Sequence, residues 1–589
     1  MLVAALAVCA LALLGAAGWV DRRRAPGEAY TLFLSDFASH APEAITAFLL
    51  FAALYTACAA ALRAAASRPV PATARGREPR PTAARLERTT TWLCGRWWRL
   101  SALLAVAWAP LLLMQLPGTS NPDFHLAVIE VLGDRATLEY PPFDVYPIAH
   151  HLVPDGDVLV STHHNAFLTW LSGTLMGASL DLTGSFMWAF CLLTGSQAVF
   201  TIVAFGRALE LLARHAPRTS FRALAVLCAI AGGWPIAMWS LALAKNPLFA
   251  AALVWWVAVC IDAVLSSRPV SARRLVGWAC LTLVLLCSAK YGVYIVLAQL
   301  LLLIVLRRGR RRWAETLTAL ALPIVITEAL LRGLIAGGFV IPNDPMEAKS
   351  LQIQSLGLVL QQDPEALTPE ERSSLSPIFD PDAMSRDFDP DFVRPLRSSG
   401  YIDGAYRWRT VTQEEAAAFD GIWAAVAARE PLLVTDSVIR GAFRFFDPLS
   451  RGFDNWPRAD ADDGIQAVPI DGHHFGDDGR NDAARDALTA TTAHVESLPG
   501  IRLLLEPSVR VVLVLLLAAA AIAARVRAAW VWALPLILHC GVLIAAPLAA
   551  SGRYSLGIVY ALPVAILALG IEGRGRSPSE APQPALSAL

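Results

Sequence analysis

The sequence predicts an all-α polytopic membrane protein with about twelve transmembrane helices and one large, mostly helical extracytoplasmic segment. Three observations predict it. Of the 589 residues, 56% are hydrophobic and 17% charged, against roughly a quarter charged in a soluble domain. The shortfall is concentrated in uncharged blocks such as ALLAVAWAPLLLM, FAAALVWWVAV and VVLVLLLAAAAIAA, each extending toward the ~20 residues that span a bilayer. The net charge of zero hides an asymmetry: Ile341 to Pro507 holds 15 Lys+Arg against 29 Asp+Glu, so the remainder is basic by the same margin. Short basic loops and a long acidic one are what a fixed membrane orientation leaves behind.

The expected spans lie near 2–20, 43–62, 100–116, 184–206, 223–243, 247–266, 275–289, 291–306, 316–339, 508–524, 529–549 and 554–571. The basic stretches Arg63 to Arg99, Arg214 to Arg222, Arg268 to Arg274, Arg307 to Arg312, Arg525 with Arg527, and Arg574 with Arg576 then share one side, as the positive-inside rule requires. Arg22 to Arg24 break the pattern. The first apolar run lacks a basic stretch before it, so it reads as a membrane helix and not as a signal peptide. Both termini fall on the cytoplasmic side of the cell membrane. The chain divides into an N-terminal hairpin and basic linker (1–99), a membrane core (100–340) with a first extracytoplasmic loop (117–183), the acidic extracytoplasmic segment (341–507), and C-terminal membrane helices with a tail (508–589). In the acidic segment Ala418, Phe419, Ile422, Trp423 and Val426 repeat with helical period between Asp/Gly/Pro stretches. No cysteine lies there and no zinc-type spacing exists. No internal repeat is visible.

The first outer loop opens with LPGTSNPDFHLAVIEVLGDR. Asn121 is a favourable N-cap and Pro122 suits the first helical position. On the helix so started, Asp123, Ala127, Glu130 and Asp134 share one face, and Phe124, Val128, Ile129, Val131 and Leu132 the other. An ordinary amphipathic surface helix with solvated acids accounts for this spacing as well as a polar site does. Further on, His150–His151 and His163–His164 place four of the eleven histidines in the same loop. Adjacent histidines are a weak metal signal, yet their number beside an acidic stripe favours a polar site.

Three cations occupy the outer interface. Lys290, with Arg274 and Arg307 on either side, falls at the tip of a tight outer hairpin; Lys245 ends the fifth span; Arg553 and Tyr554 open the last. Single cations near helix ends often snorkel to lipid headgroups. Convergence on one lipid-linked phosphate is the sharper reading. Glu328 and Arg332, four apart in the ninth span, are expected to pair with each other.

This plan resembles that of the C-class (GT-C) glycosyltransferases, membrane enzymes that use polyprenyl-phosphate-linked sugars, and more narrowly a family of actinobacterial multispanning proteins of that class. The matching stretches are NPDFHLAVIE, STHHNAFLTWLSG, KNPLF, AKYGVYIVL and SLQIQSLGLVLQQDPEALTPEE, within about Leu100 to Gly570. The resemblance implies a GT-C-like fold and makes Asp123 the catalytic base. In that family's pattern the AKYGVY position carries Arg followed by Asn-Asn-Gly. Lys290 and Tyr291 depart from it, keeping the cation but exchanging a bidentate fork for a point charge.

The implied function is sugar transfer from a polyprenyl-phosphate-linked donor to a cell-envelope glycan or lipid acceptor on the extracytoplasmic face, with inversion. Asp123, assisted by Glu130, is the catalytic candidate. His163, His164, Lys245, Lys290, Arg553 and Tyr554 are the substrate-binding candidates. No cofactor is required by the sequence; Glu130 and the histidines suit a divalent ion such as Mg2+ or Mn2+, although no complete oxygen-ligand set is visible. The alternative is a transporter or flippase of a lipid-linked saccharide, which shares the outer cations but predicts repeat symmetry or mid-membrane charges. A third reading, a scaffold binding cell-wall polymer, leaves the gathered charges unexplained. No Walker loop and no nucleic-acid-binding fold is present.

Overall fold

The computed structural model describes residues 2–24, 30–67, 81–135, 160–343, 345–397, 405–407, 411–450, 470–473, 482–546 and 551–571. Its elements are almost all helices, the form in which an apolar segment satisfies its own backbone hydrogen bonds away from water. Seven are long and apolar enough to cross a membrane: Leu2–Arg22, Phe37–Ser67, Trp97–Gln115, Met187–Ala213, Lys245–Leu265, Arg310–Ala336 and Gly552–Leu569. An eighth crossing forms if the pair Thr219–Ala231 and Trp234–Ser240, bent by 54°, is one span. The bend lies at Gly232–Gly233, where a side chain on Gly233 would strike Trp108, and Pro235 opens the second piece, the usual causes of a kink. The other expected spans fall on shorter helices: Ala272–Ser288, Gly292–Leu306, Pro507–Ala523 and Ala529–Ala545. The protein is therefore a membrane-embedded helical bundle.

Burial separates centre from periphery. The apolar windows of Gly552–Leu569 and Lys245–Leu265 are 89% and 67% buried, whereas those of Phe37–Ser67 and Arg310–Ala336 are each 17% buried. The first two are central staves and the last two face outward. Glu328 and Arg332 both lie on an outward face and form no ion pair with each other or with another described residue. Nothing there holds two long side chains in one geometry, so the expected pairing fails.

The bundle has two chemically different ends. At one end Arg22 pairs with the fully buried carboxylate of Asp447, and Arg440 binds both Asp21 and Asp391. Asp436 accepts from the backbone N–H groups of Leu34 and Ser35 at 2.7 and 2.8 Å. The acidic segment thus clamps the turn after the first helix and neutralises Arg22, while Arg23 and Arg24 pair with Glu43 and Asp21. At the other end Arg218 donates to the carbonyls of Ala65 and Ala66, closing the open turn of Phe37–Ser67. Arg307, buried, donates to Glu315, Thr316 and the Ala263 carbonyl.

Within the acidic segment, helices Ser350–Gln362, Pro369–Leu375, Pro381–Arg386, Gln413–Arg429 and Pro431–Phe446 enclose a separate core that includes Ile353, Leu356, Phe379, Phe419, Ile422 and Val426. Thr368 with Glu371 and Thr412 with Glu415 form capping boxes at two of the helix starts. Ala418, expected on the apolar stripe, is exposed and Ala416 takes its place; Trp423 is half-buried and donates to Ser355 Oγ at 2.8 Å.

Two short backbone pairings tie distant loops together. Thr119–Ser120 pairs in parallel with Ala242–Leu243. Ser161 bridges to Ile341, with Thr162 N donating to the Ile341 carbonyl at 3.0 Å. Gly118 leads into the first pairing at φ 121°, and a Cβ there would lie 2.6 Å from the Leu241 carbonyl oxygen. Gly118→Ala is therefore expected to cost about 1–3 kcal/mol, read as a lower melting temperature in detergent. Gly421→Ala, on an open helix surface, is expected to be neutral or stabilising; equal losses for the two would show that the strand pairing does not depend on Gly118.

Candidate functional site

The paired strands end immediately before two helices, Pro122–Leu132 and Lys245–Leu265. Thr119 sits opposite Ala242 and Ser120 opposite Leu243, so the first turns of both helices stand side by side. Gln197 holds the second strand by donating to the carbonyls of Ser240 and Ala242 at 3.0 and 2.7 Å. Thr194 holds the approach to the first by donating to the Pro117 carbonyl at 2.7 Å. As expected, Asn121 caps the Pro122–Leu132 helix, accepting from Phe124 N at 3.0 Å. The helix is not a solvated surface element, however. Ala127 and Glu130 are buried with the apolar face, and its C-terminal half lies against Gly173 and Gly177 of Ala166–Thr183 so closely that Val131 and Leu132 would collide with any side chain there.

This register places Asp123 Oδ2 3.7 Å from Lys245 Nζ and 3.5 Å from Arg553 Nη2. Burial alone would raise the Asp123 carboxyl, but Arg553, Lys245 and His164 outweigh it and hold the group well below its usual range. Arg553 also donates to the Tyr554 hydroxyl at 3.1 Å and lies over that ring at 5.1 Å. The Tyr554 carbonyl accepts from His539 Nε2 at 2.8 Å. Among the described residues, the buried Nε–H of Arg553 has no acceptor and Lys245 has Asp123 as its one ion-pair partner. Both cations therefore keep donors for a further anion.

A second group adjoins the first. Glu130, 2% exposed, accepts from Ser161 N and Oγ at 3.1 and 3.2 Å. His163 Nδ1 lies 3.6 Å from Glu347 Oε2, and Glu347 also pairs with Arg397 at 3.2 Å. The His163 and His164 rings meet edge to face at 4.5 Å. Lys290, at the tip of the turn between Ala272–Ser288 and Gly292–Leu306, forms no hydrogen bond or ion pair with a described residue. Reduced hydration of its ammonium group and repulsion by Lys245, opposed by Glu347 and Glu130 and aided by Arg397, push it down to about 8.

All eight sequence candidates thus gather at one end of the bundle, while His150 and His151 lie outside the described residues. Ser161, Gln197, Glu347 and Arg397 were not anticipated; they act through long-range contacts that carry no local signal. Asp471 accepts from Arg135 Nε at 2.8 Å. Among the described residues, no three His, Cys, Asp or Glu side chains gather as a ligand set. Glu130 and Glu347 are engaged as above and Asp123 faces cations, so no chemical step is derived through a metal.

Asp123, Lys245, Lys290 and Arg553 lie in or just before the first turn of four different helices, and His164 just before a fifth. Helix N-termini carry partial positive charge and favour anions. Asp123, His164 and Lys245 also line a cavity of about 400 Å3 whose remaining wall includes Leu168, Leu193, Phe200 and Leu248. The arrangement suits an amphiphile with an anionic head and an apolar tail.

Fold and site together define a polytopic helical membrane protein with a charged site at one end of its bundle. The chain belongs to a family of unknown function, DUF6020, which matches residues 1–583. No curated protein and no solved structure matches it.

The depressed ammonium of Lys290 is directly testable, because the chain has three lysines. Raising the pH frees the amine of Lys290 near pH 8, against about 10.4 for an unperturbed lysine. Brief acetylation at pH 8 followed by peptide mass spectrometry is expected to label Lys290 ahead of Lys245 and of Lys349, which is paired with Asp420. Equal labelling of Lys290 and Lys245 would refute the depression.

Proposed function

We propose that this protein transfers a sugar from a polyprenyl-phosphate-linked donor to a cell-envelope acceptor on the extracytoplasmic face, inverting the anomeric centre. It would do so as a C-class glycosyltransferase of the cell membrane with about twelve spans and cytoplasmic termini. The observation that carries the reading is Asp123, a carboxylate shared by Lys245 and Arg553 at the polar end of a cavity whose other wall is apolar. The donor's phosphate is assigned to Lys245, Lys290 and the free Nε–H of Arg553, and its prenyl chain to the wall of Leu168, Leu193, Phe200 and Leu248. His163, His164 and Tyr554 border the same site and are assigned to substrate orientation.

In this mechanism Asp123 takes the proton of an acceptor hydroxyl as that oxygen bonds to the anomeric carbon. The bond from that carbon to the phosphate oxygen breaks, and the leaving phosphate carries its charge onto Lys245 and Arg553. Alone, the two cations hold Asp123 ionised and make it a weak base. A bound phosphate offsets them and returns basicity to the carboxylate, so donor binding prepares the proton acceptor. Glu130, held by Ser161, is a positioning residue for the loop carrying His163 and His164.

A second reading, movement of a lipid-linked saccharide across the membrane, is favoured by one observation: Phe200 lines both this cavity and a larger one toward the opposite end.

With purified protein in nanodiscs and polyprenyl-phosphate-linked sugars, acceptor-dependent release of polyprenyl phosphate is expected. Asp123→Asn is expected to lower it by at least about 100-fold with donor binding retained, and Lys245→Gln to weaken donor binding. An undiminished Asp123→Asn rate would remove Asp123 from the mechanism. No release with any donor, together with saturable binding of a lipid-linked saccharide, would favour the transport reading.

A further inference from the structure

The larger cavity, about 890 Å3, lies between Met187–Ala213, Lys245–Leu265 and Ala272–Ser288 at the end of the bundle away from Asp123. Its rim carries Arg207, Arg214, Arg268, Arg273 and Arg274 against two acids, Glu210 and Asp262. Both acids are engaged: Glu210 lies 2.8 Å from Arg214 and 3.6 Å from Arg207, and Asp262 is 2.7 Å from His215. Arg268, Arg273 and Arg274 are exposed and form no hydrogen bond or ion pair with a described residue. Arg207 stands within electrostatic reach of Arg214, Arg273 and Arg274, so the cluster repels itself and is left net cationic.

Below the rim the lining turns apolar. Phe200 and Trp255, with ring centroids 6.2 Å apart, close the deep end, and Val259 and Val284 line the way to it. Gly277 and Cys280 form part of one wall; they are exposed on the same helix as Val276, which is 63% exposed. The cavity therefore opens toward the surface that meets lipid. Cations at the rim and hydrocarbon-compatible walls beneath match an amphiphile with a phosphate head.

We propose that this cavity binds an anionic diacyl phospholipid of the membrane, its phosphate among Arg207, Arg268, Arg273 and Arg274 and its chains against Phe200, Trp255, Val259 and Val284. A two-chain lipid is favoured because the space is more than twice the 400 Å3 of the cavity beside Asp123. The site is separate from the proposed sugar transfer and stands whether or not that reading does. It would hold three membrane helices together where their charged ends otherwise repel.

The test is melting of the full-length protein in detergent, titrated with phosphatidylglycerol or with phosphatidylcholine. Phosphatidylglycerol is expected to give a saturable rise in melting temperature that salt reduces, and phosphatidylcholine none. The double variant Arg273→Gln/Arg274→Gln, whose side chains hold nothing in the fold, is expected to melt normally without lipid yet need roughly tenfold more phosphatidylglycerol. Asp123→Asn is expected to leave the lipid response unchanged, which separates this site from the other. An equal response to phosphatidylcholine, or an unaltered response in the double variant, would overturn the proposal. So would a rise that requires these arginines with polyprenyl phosphate but not with phosphatidylglycerol, since that would assign the cavity to the other lipid.

Discussion

The site depends on four residues of backbone pairing. Thr119 and Ser120 lie against Ala242 and Leu243, and two helices start directly afterwards, so the pairing fixes where their first turns stand. Backbone groups in an apolar bundle must find partners, and the short strands satisfy theirs within a small network. Gln197 serves the carbonyls of Ser240 and Ala242, Thr194 that of Pro117, and Arg485 those of Gln115 and Gly118. Arg485 comes from the acidic segment, so that segment reaches across the end of the bundle to lock the same junction. The distance from Asp123 to Lys245 is then a consequence of register. No flexible loop is left to set it.

Electrostatics explains why those first turns carry charge. A cation on the first residue of a helix opposes the helix dipole, whereas an anion there is stabilised. Lys245 opens a 21-residue helix and is unfavourably placed unless a negative charge stands close by. Asp123 supplies one, and its own position in a first turn is favourable. Arg553 adds a second cation to the same carboxylate, leaving the pair of cations incompletely compensated in surroundings where charges are weakly screened. Lys290 and Arg397 extend the excess, and Glu347 partly offsets it through Arg397 and His163. Such a constellation costs stability unless an anion completes it. In the proposed reaction this imbalance is what would recognise an anionic substrate.

What was legible in the sequence follows from which signals are local. Apolar runs announce helices within about 20 residues, so the apolar helices and their order could be read, although seven are long and apolar enough to cross a membrane, an eighth only as a bent pair, and four are shorter. Asn121 and Pro122 announced a helix start, and with it the position of Asp123. Cations at span ends placed Lys245, Lys290 and Arg553 on one face by the arithmetic of helix lengths. The two-residue strands were invisible, because alternation needs several residues to register. Glu347, Arg397 and Gln197 were likewise hidden: each is an ordinary polar residue in its own segment and acquires meaning only through a partner far away in the chain. The burial of Glu130 shows the same limit, since a spacing that fits a solvated helix face fits a packed one equally well.

On the topology expected from the sequence, the exception at Arg22 to Arg24 goes with carboxylates close by: Asp447 of the acidic segment for Arg22, Glu43 for Arg23 and Asp21 for Arg24. Basic residues are held back from the far side of a membrane mainly by the cost of moving and leaving charge there, and that cost falls when the receiving side offers fixed carboxylates. Asp447 is wholly buried and Arg22 is its partner, so the carboxylate depends on that cation. Asp21 and Asp391 share Arg440 in the same way, and Asp436 fastens the following backbone at Leu34 and Ser35. The first hairpin and the acidic segment are therefore one electrostatic unit built from opposite parts of the chain. Helix Pro431–Phe446 carries Asp436 and Arg440, and Arg485 of the same segment donates to the strand junction before Asp123. The first hairpin and the strand junction before Asp123 are in this way both held by residues of the same segment.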